Sequence, residues 1–240
     1  MKIIVTGGLG HIGSHLIRKL PEVFQSSEII IIDNLMTNRF CSLFDLPNKG
    51  NYIFKQADIV KDSLDEYFDN ADYVVHLAAI TDAANSFNNA SGVEKNNFQA
   101  TKIVANYCSK YNVNLITISS TSVYGTNDKI VDENASEDKL KPQSPYALTK
   151  LKEEVYILDL CKTKKLNATI LRFGTIFGIS PGMRFHTAVN KFCWQASWGQ
   201  PLTVWLTAFD QVRPYLDIED ASRALIHVIN KNIFKGDIYN

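Results

Sequence analysis

The sequence predicts an α/β fold: a doubly wound parallel sheet with helices on both faces, followed by a smaller C-terminal part. Three observations predict it. Apolar, β-branched runs recur at Ile3-Ile4-Val5, Ile29 to Ile32, Val74-Val75, Leu115 to Ile118 and Thr169 to Leu171, the kind of strand that a sheet covered on both faces buries. Helical stretches with one apolar stripe separate several of them. A glycine-rich turn, Gly7-Gly8-Leu9-Gly10-His11-Ile12-Gly13, joins the first strand to the first helix. Right-handed crossovers then give the strand order 3-2-1-4-5-6.

In the glycine turn, Gly7, Gly10 and Gly13 follow at a spacing of three. Their physical jobs are a tight turn at Gly7, close backbone approach to a phosphate at Gly10 and close helix–strand packing at Gly13. The free N–H groups of the following helix, with His11 and Ile12 in its first turn, suit a pyrophosphate. The second strand, Glu28 to Asp33, ends in an acid twenty residues after Gly13, where a dinucleotide fold places the carboxylate that binds the ribose hydroxyls. A carboxylate there repels a ribose phosphate and so favours NAD over NADP; Arg39, six residues further on, weakens that preference. A plain tight turn and a turn-forming aspartate remain the structural alternatives.

The helix from His11 to Leu20 is expected to stop at Pro21. Tyr52 to Phe54 reads as a short third strand and Lys61 to Phe68 as a short helix. Tyr73 to His76 is the fourth strand; it leads into Leu77-Ala78-Ala79-Ile80, whose small residues let the backbone approach a flat ligand. A long amphipathic helix from Ser91 to Tyr111 precedes the fifth strand, Leu115 to Ile118, which ends in Ser119-Ser120-Thr121-Ser122-Val123-Tyr124-Gly125. A polar loop spans Asn127 to Pro142. Ser144 reads as an N-cap with Pro145 at the first helical position, and that helix runs to about Lys164. Ala168 to Arg172 is the sixth strand. After Gly178 the pattern changes to helices at Thr187 to Trp198 and Asp217 to Ile229 with short strands. The expected division is residues 1–178 as a dinucleotide-binding Rossmann part and 179–240 as a substrate-covering part interleaved with it.

The chain has 240 residues, 45% hydrophobic and 21% charged, with formal net charge zero. That balance fits an ordinary soluble protein and gives no sign of a nucleic-acid partner or an acidic membrane. Cys41, Cys108, Cys161 and Cys193 are scattered, without metal-ligand spacing or a disulfide framework, so a reducing, cytoplasmic compartment and no metal are expected. No apolar run approaches a membrane span.

Tyr146 and Lys150 lie four residues apart on one helix and share a face. A cation beside a phenol favours the phenolate, which makes tyrosine a usable general acid and base. Ser119 and Ser120 fall at the carboxyl end of a parallel strand, where such sheets bind ligands. Taken alone, the tyrosine and lysine would read as an exposed pair; the two serines change that.

Together with Thr6 to Gly13, Asp33-Asn34, Asp58-Ile59, His76 to Ala79, Asn97 and Arg213 to Asp220, these motifs resemble the extended short-chain dehydrogenases that act on nucleotide sugars, over nearly the whole chain. The resemblance implies that Tyr146 is the acid/base, that Lys150 holds the nicotinamide ribose, and that Ser120 binds the reacting sugar oxygen with Asn97 in support. It implies NAD contacts from Gly7, Gly10, His11, Ile12, Gly13, Asp33, Asn34, Asp58, Ile59, Leu77, Ala78, Ala79, Ser119 and Phe173. Arg213 resembles the arginine that grips the substrate diphosphate, a task suited to a forked guanidinium; a surface arginine before a helix is the alternative. The dehydratases of this family carry an Asp-Glu pair where this chain has Thr121 and Ser122, so the pattern is most like the 4-epimerases. Thr175 stands where many relatives have an asparagine that touches substrate. The readings carried forward are a 4-epimerase, a reductase, dehydrogenase or dehydratase of the same family, and a non-catalytic NAD(H)-binding protein. A homodimer is expected through the helices that hold Ile103, Val104, Val155 and Leu158. Relatives continue past the strand-like Asp237-Ile238-Tyr239, so the C-terminal part reads as truncated, with cofactor binding kept and turnover poor.

Overall fold

Alternate residues of the first strand go to opposite faces. Ile3 and Val5 belong to one core and Ile4 to another, and all three are completely buried, as period-two alternation inside a two-sided sheet requires. The computed structural model of the chain describes residues 1–81, 90–125, 130–204, 206, 209 and 211–240. Seven strands form the central sheet: β1 (Lys2–Thr6), β2 (Glu28–Asp33), β3 (Asn51–Gln56), β4 (Tyr73–His76), β5 (Asn114–Ser120), β6 (Ala168–Phe173) and β9 (Asp237–Tyr239). Their order is β3-β2-β1-β4-β5-β6-β9 and every pairing is parallel. The predicted order of the first six strands holds, and the C-terminal β9 adds a seventh beside β6.

On one face, α1 (His11–Val23) and α6 (Ile218–Lys231) bury Leu16, Ile17, Leu20, Ala221, Leu225 and Ile229 against β1 and β2. On the other, α2 (Asp65–Phe68), α3 (Ala90–Tyr111) and α4 (Pro145–Lys162) bury Phe68, Val104, Cys108 and Ile157. Each fully buried Leu or Ile side chain contributes about 1.5–3 kcal/mol, so both layers hold the sheet firmly. The stretch after residue 178 thus adds α6 to the main core and β9 to the main sheet. It also supplies α5 (Ala188–Ser197) and β8 (Tyr215–Asp217), which pairs in parallel with β7 (Thr175–Phe177) just before it. Trp198, Leu206, Phe209 and Val212 around it are exposed.

Several expectations need correction. The first helix does not stop at Pro21 but runs through it to Val23. Pro21 cannot donate to the carbonyl of Ile17; the Tyr52 hydroxyl donates to it instead, at 3.1 Å. The helix expected over Lys61 to Phe68 is confined to Asp65–Phe68, because the side chains of Asp58 and Asp62 cap backbone N–H groups in a turn. Val104 is fully buried against the sheet, so it has no surface for a partner. Within the polar loop expected from Asn127 to Pro142, residues 127–129 lie outside the described residues.

Candidate active site

The order of strands reverses between β1 and β4, whose carboxyl ends lie side by side with Thr6 paired to His76. A crevice opens at such a switch point. Here it is a cleft of about 1280 Å³ that runs from the glycine turn to Tyr215.

The glycine turn forms its floor. Gly7 has φ +65°, and a Cβ there would lie 2.6 Å from the Ala78 backbone nitrogen. A Cβ on Gly13 would lie 2.6 Å from the Gly7 carbonyl. The turn and packing roles expected of these two glycines are therefore physical necessities. Gly10 is the N-cap of α1 and offers no side-chain cap. The N–H groups of the first turn are left for a ligand. The segment after β7 closes over this turn. The His11 ring donates from Nε2 to the Gly178 carbonyl at 2.9 Å. Ser180 Oγ donates to the His11 carbonyl, and the Gly182 N–H donates to Ser14 Oγ, each at 2.9 Å. Burial pushes the His11 pKa down to about 4, so the ring is neutral. Sequence reading missed this fastening; Ser14 and Ser180 carry no local signal, since only the fold brings them together.

Asp33 accepts the Leu9 N–H at 3.1 Å and the Leu35 N–H at 2.9 Å, which ties β2 to the glycine turn. Arg39 lines the cleft within the field of Asp33. Asn34 accepts from Met36 N–H at 3.0 Å, Asp58 pairs with Lys61 at 3.0 Å, and Ile59 is buried. These residues, with Asp33 and Ala78, stand beside the cleft rather than in its walls. Leu77, Ala79, Ser119 and Phe173 are in the walls. Asn97 is not: its side chain accepts the Ile80 N–H at 2.8 Å and donates to the Ile80 carbonyl at 2.9 Å. It shapes the turn after β4.

Ser120 ends β5, and its Oγ accepts from Ser122 N–H at 3.2 Å and Ser122 Oγ at 2.8 Å. That cap starts the 3-10 turn Thr121–Tyr124, and Ser120 lines the same cleft as Tyr146. Ser144 accepts the Ala147 N–H at 3.1 Å and starts α4. One turn later Lys150 Nζ lies 5.9 Å from the centre of the Tyr146 ring. Ser119 is not free for a ligand, because its hydroxyl donates to Glu154. Thr175 and Arg213 line the far end, where Arg213 donates to Gln211 at 2.9 Å. Arg184, unnoticed in the sequence, is a further wall residue and donates to Thr81. The described walls carry Arg39, Lys150, Arg184, Lys191 and Arg213 and no aspartate or glutamate. In a chain of zero formal net charge, that concentrates positive potential along the cleft, which suits an anionic ligand.

The family model described as NAD dependent epimerase/dehydratase family matches residues 3–240. The chain belongs to this NAD dependent epimerase/dehydratase family. It is 31% identical, over its whole length and 76% of the relative's, to an uncharacterised UDP-glucose epimerase of Bacillus subtilis. It is 30% identical to a trifunctional UDP-glucose 4,6-dehydratase, 3,5-epimerase and reductase of Arabidopsis thaliana over 99% of the chain, and spans 36% of that relative. The structure of a UDP-glucuronic acid 4-epimerase from Bacillus cereus with UDP-glucuronic acid and NAD superposes with TM-score 0.88 at 29% identity, covering 99% of this chain and 76% of that one.

The residues present fit the cofactor of the NAD dependent epimerase/dehydratase family. The glycine floor has no room for side chains at Gly7 and Gly13, the helix above it is uncapped, and the cleft walls are cationic.

Proposed function

We propose that this chain is a nucleotide-sugar 4-epimerase that works by transient oxidation at sugar carbon 4. The observation that carries this reading is the pairing of Tyr146, Lys150 and Ser120 in one cleft whose described walls hold no carboxylate. Elimination of water across a sugar ring needs a second acid and base. Thr121 and Ser122 stand next to Ser120 in place of one, and Thr121 Oγ1 lies 3.4 Å from the Phe173 carbonyl that accepts its proton. An epimerisation needs one proton acceptor that later returns the proton, which a single tyrosine supplies.

NAD bound on the glycine floor supplies hydride acceptance and return. Tyr146 takes the proton of the 4-hydroxyl and gives it back after the keto sugar has turned over. Ser120 holds the reacting oxygen. Lys150, beside the ring, favours the phenolate. Arg213 and the other wall cations hold the diphosphate. Thr175, in the cleft wall, would contact the sugar in place of the asparagine of many relatives. Incubation with a panel of UDP- and dTDP-sugars, with products read by NMR, tests this reading; products that have lost water would point to the dehydratase reading instead.

Asp33 is expected to make NAD bind more tightly than NADP, by at least tenfold, since a phosphate beside its carboxylate is repelled. Dissociation constants from fluorescence titration check this. Equal or tighter NADP binding would assign the deciding role to Arg39.

We further propose a two-fold homodimer through α3 and α4. Val155 and Leu148 on α4 are 52% and 45% exposed, and Phe98 and Tyr156 pack edge-on between the two helices at 6.0 Å. Sedimentation equilibrium at micromolar concentration is expected to give twice the chain mass; a monomer throughout would contradict it.

A further inference from the structure

Lys150 and Glu153 form a buried ion pair. Their side chains are 7% and 3% exposed, and Nζ lies 2.9 Å from Oε2. The two adjacent glutamates of α4 are used differently. Glu154 is fully engaged: its oxygens accept two guanidinium N–H groups of Arg172 and the hydroxyl of Ser119. Glu153 has Lys150 on one oxygen, while the other, Oε1, is buried without a hydrogen-bond partner among the described residues. A half-satisfied buried carboxylate is costly, so its presence asks for a role beyond packing.

Among the described residues, charged and titratable groups face Lys150 from three elements. From its own helix come Tyr146, Glu153 and Glu154; from β4 comes His76; and from β6 comes Arg172, which faces Glu154. Burial, with the Lys150 charge adding to it, pushes His76 down to about 3, so that ring is neutral. It is hydrogen-bonded to Thr6 at 2.7 Å and to Thr101 of α3 at 3.3 Å. On α3, Glu94 pairs with Lys152, and Lys102 lies over the Phe98 and Tyr156 rings. Arg172 cancels Glu154. Among the described residues, Glu153 is then the uncancelled anion beside the ammonium. Burial pulls the Lys150 pKa down, but Glu153 and the Tyr146 phenol more than offset it and hold it above its ordinary value.

We propose that Glu153 is a positioning residue for Lys150: it fixes the ammonium beside the Tyr146 ring, partly cancels its charge, and thereby sets the pH range in which Tyr146 exchanges its proton. The proposal rests on the reading of Tyr146 as the acid/base.

Glu153→Gln keeps the shape and removes the charge. Lys150 then acts on the phenol undiminished, and the tyrosine titrates at lower pH than in the parent. The first measurement needs neither cofactor nor substrate. Tyrosinate absorbance is followed against pH for each protein minus its Tyr146→Phe counterpart. The midpoint is expected to fall by about one pH unit in Glu153→Gln, and the pH profile of epimerisation to move to acid by a similar amount. An unchanged midpoint with only a lower melting temperature would assign Glu153 to packing and overturn the proposal. Glu153→Met, uncharged and of similar length, serves as a second variant with the same expected shift. If neither folds, Glu153→Asp decides: the shorter side chain keeps the charge but draws it back from Lys150, so a midpoint below the parent's is expected, and an unchanged one overturns the proposal. Turnover retained in Tyr146→Phe would instead sink the epimerase reading, while the difference titration of Glu153→Gln would still stand.

Discussion

Tyr146→Phe is expected to lower turnover by roughly 10²–10⁴-fold, the usual contribution of a positioned acid/base, while the fold and NAD binding are kept. The substitution removes one oxygen from a side chain at the start of α4. The cap that starts the helix belongs to Ser144, and the ring that faces Lys150 is kept, so loss of activity is separable from loss of structure. Circular dichroism and NAD affinity measured beside the rate check this. Activity within twofold of the parent would remove Tyr146 from the mechanism.

The largest stability effect is expected at Arg172. Its guanidinium is buried and donates to Glu154 at 2.9 and 2.6 Å and to the Tyr124 hydroxyl at 2.7 Å. Burial opposes the charge, but Glu154 and Tyr124 outweigh it and raise the pKa. Arg172→Leu leaves Glu154 buried without its cation, which costs about 3–5 kcal/mol, a large fraction of the roughly 5–15 kcal/mol that holds a domain together. The melting temperature is expected to fall by roughly 10 °C. Adding Glu154→Leu to that variant is expected to recover much of the loss, because the pair is then replaced by apolar packing. A fall of less than about 1 kcal/mol would put the pair on a level with exposed ones.

The sheet was legible because its strands are continuous apolar runs, and a strand buried on both faces has no other composition available. The glycine turn and the cap at Ser144 were legible because backbone geometry restricts the residue choice there. Three kinds of feature were not. Pro21 sits inside a helix because the hydroxyl of Tyr52, 31 residues away, serves the carbonyl that proline leaves open. β7 and β8 are three residues each and exist through their mutual pairing. The buried charges Glu153, Glu154 and Arg172 look like ordinary surface residues in the sequence, and only α4 packed against β5 and β6 turns them inward. Tyr146, Lys150 and Ser120 line one cleft, and Lys150 lies 5.9 Å from the centre of the Tyr146 ring. Asn97 and Ser119, by contrast, are occupied with the Ile80 backbone and with Glu154.

The central claim is that the cleft inverts a sugar centre without net oxidation and without loss of water. Its most direct test is to incubate the chain with each nucleotide sugar and substoichiometric NAD, and to follow mass and configuration together by mass spectrometry and proton NMR. A product of unchanged mass, inverted at carbon 4, formed in excess over the cofactor, is the predicted result. A product lighter by one water, or turnover that stops when the NAD is consumed, would contradict it.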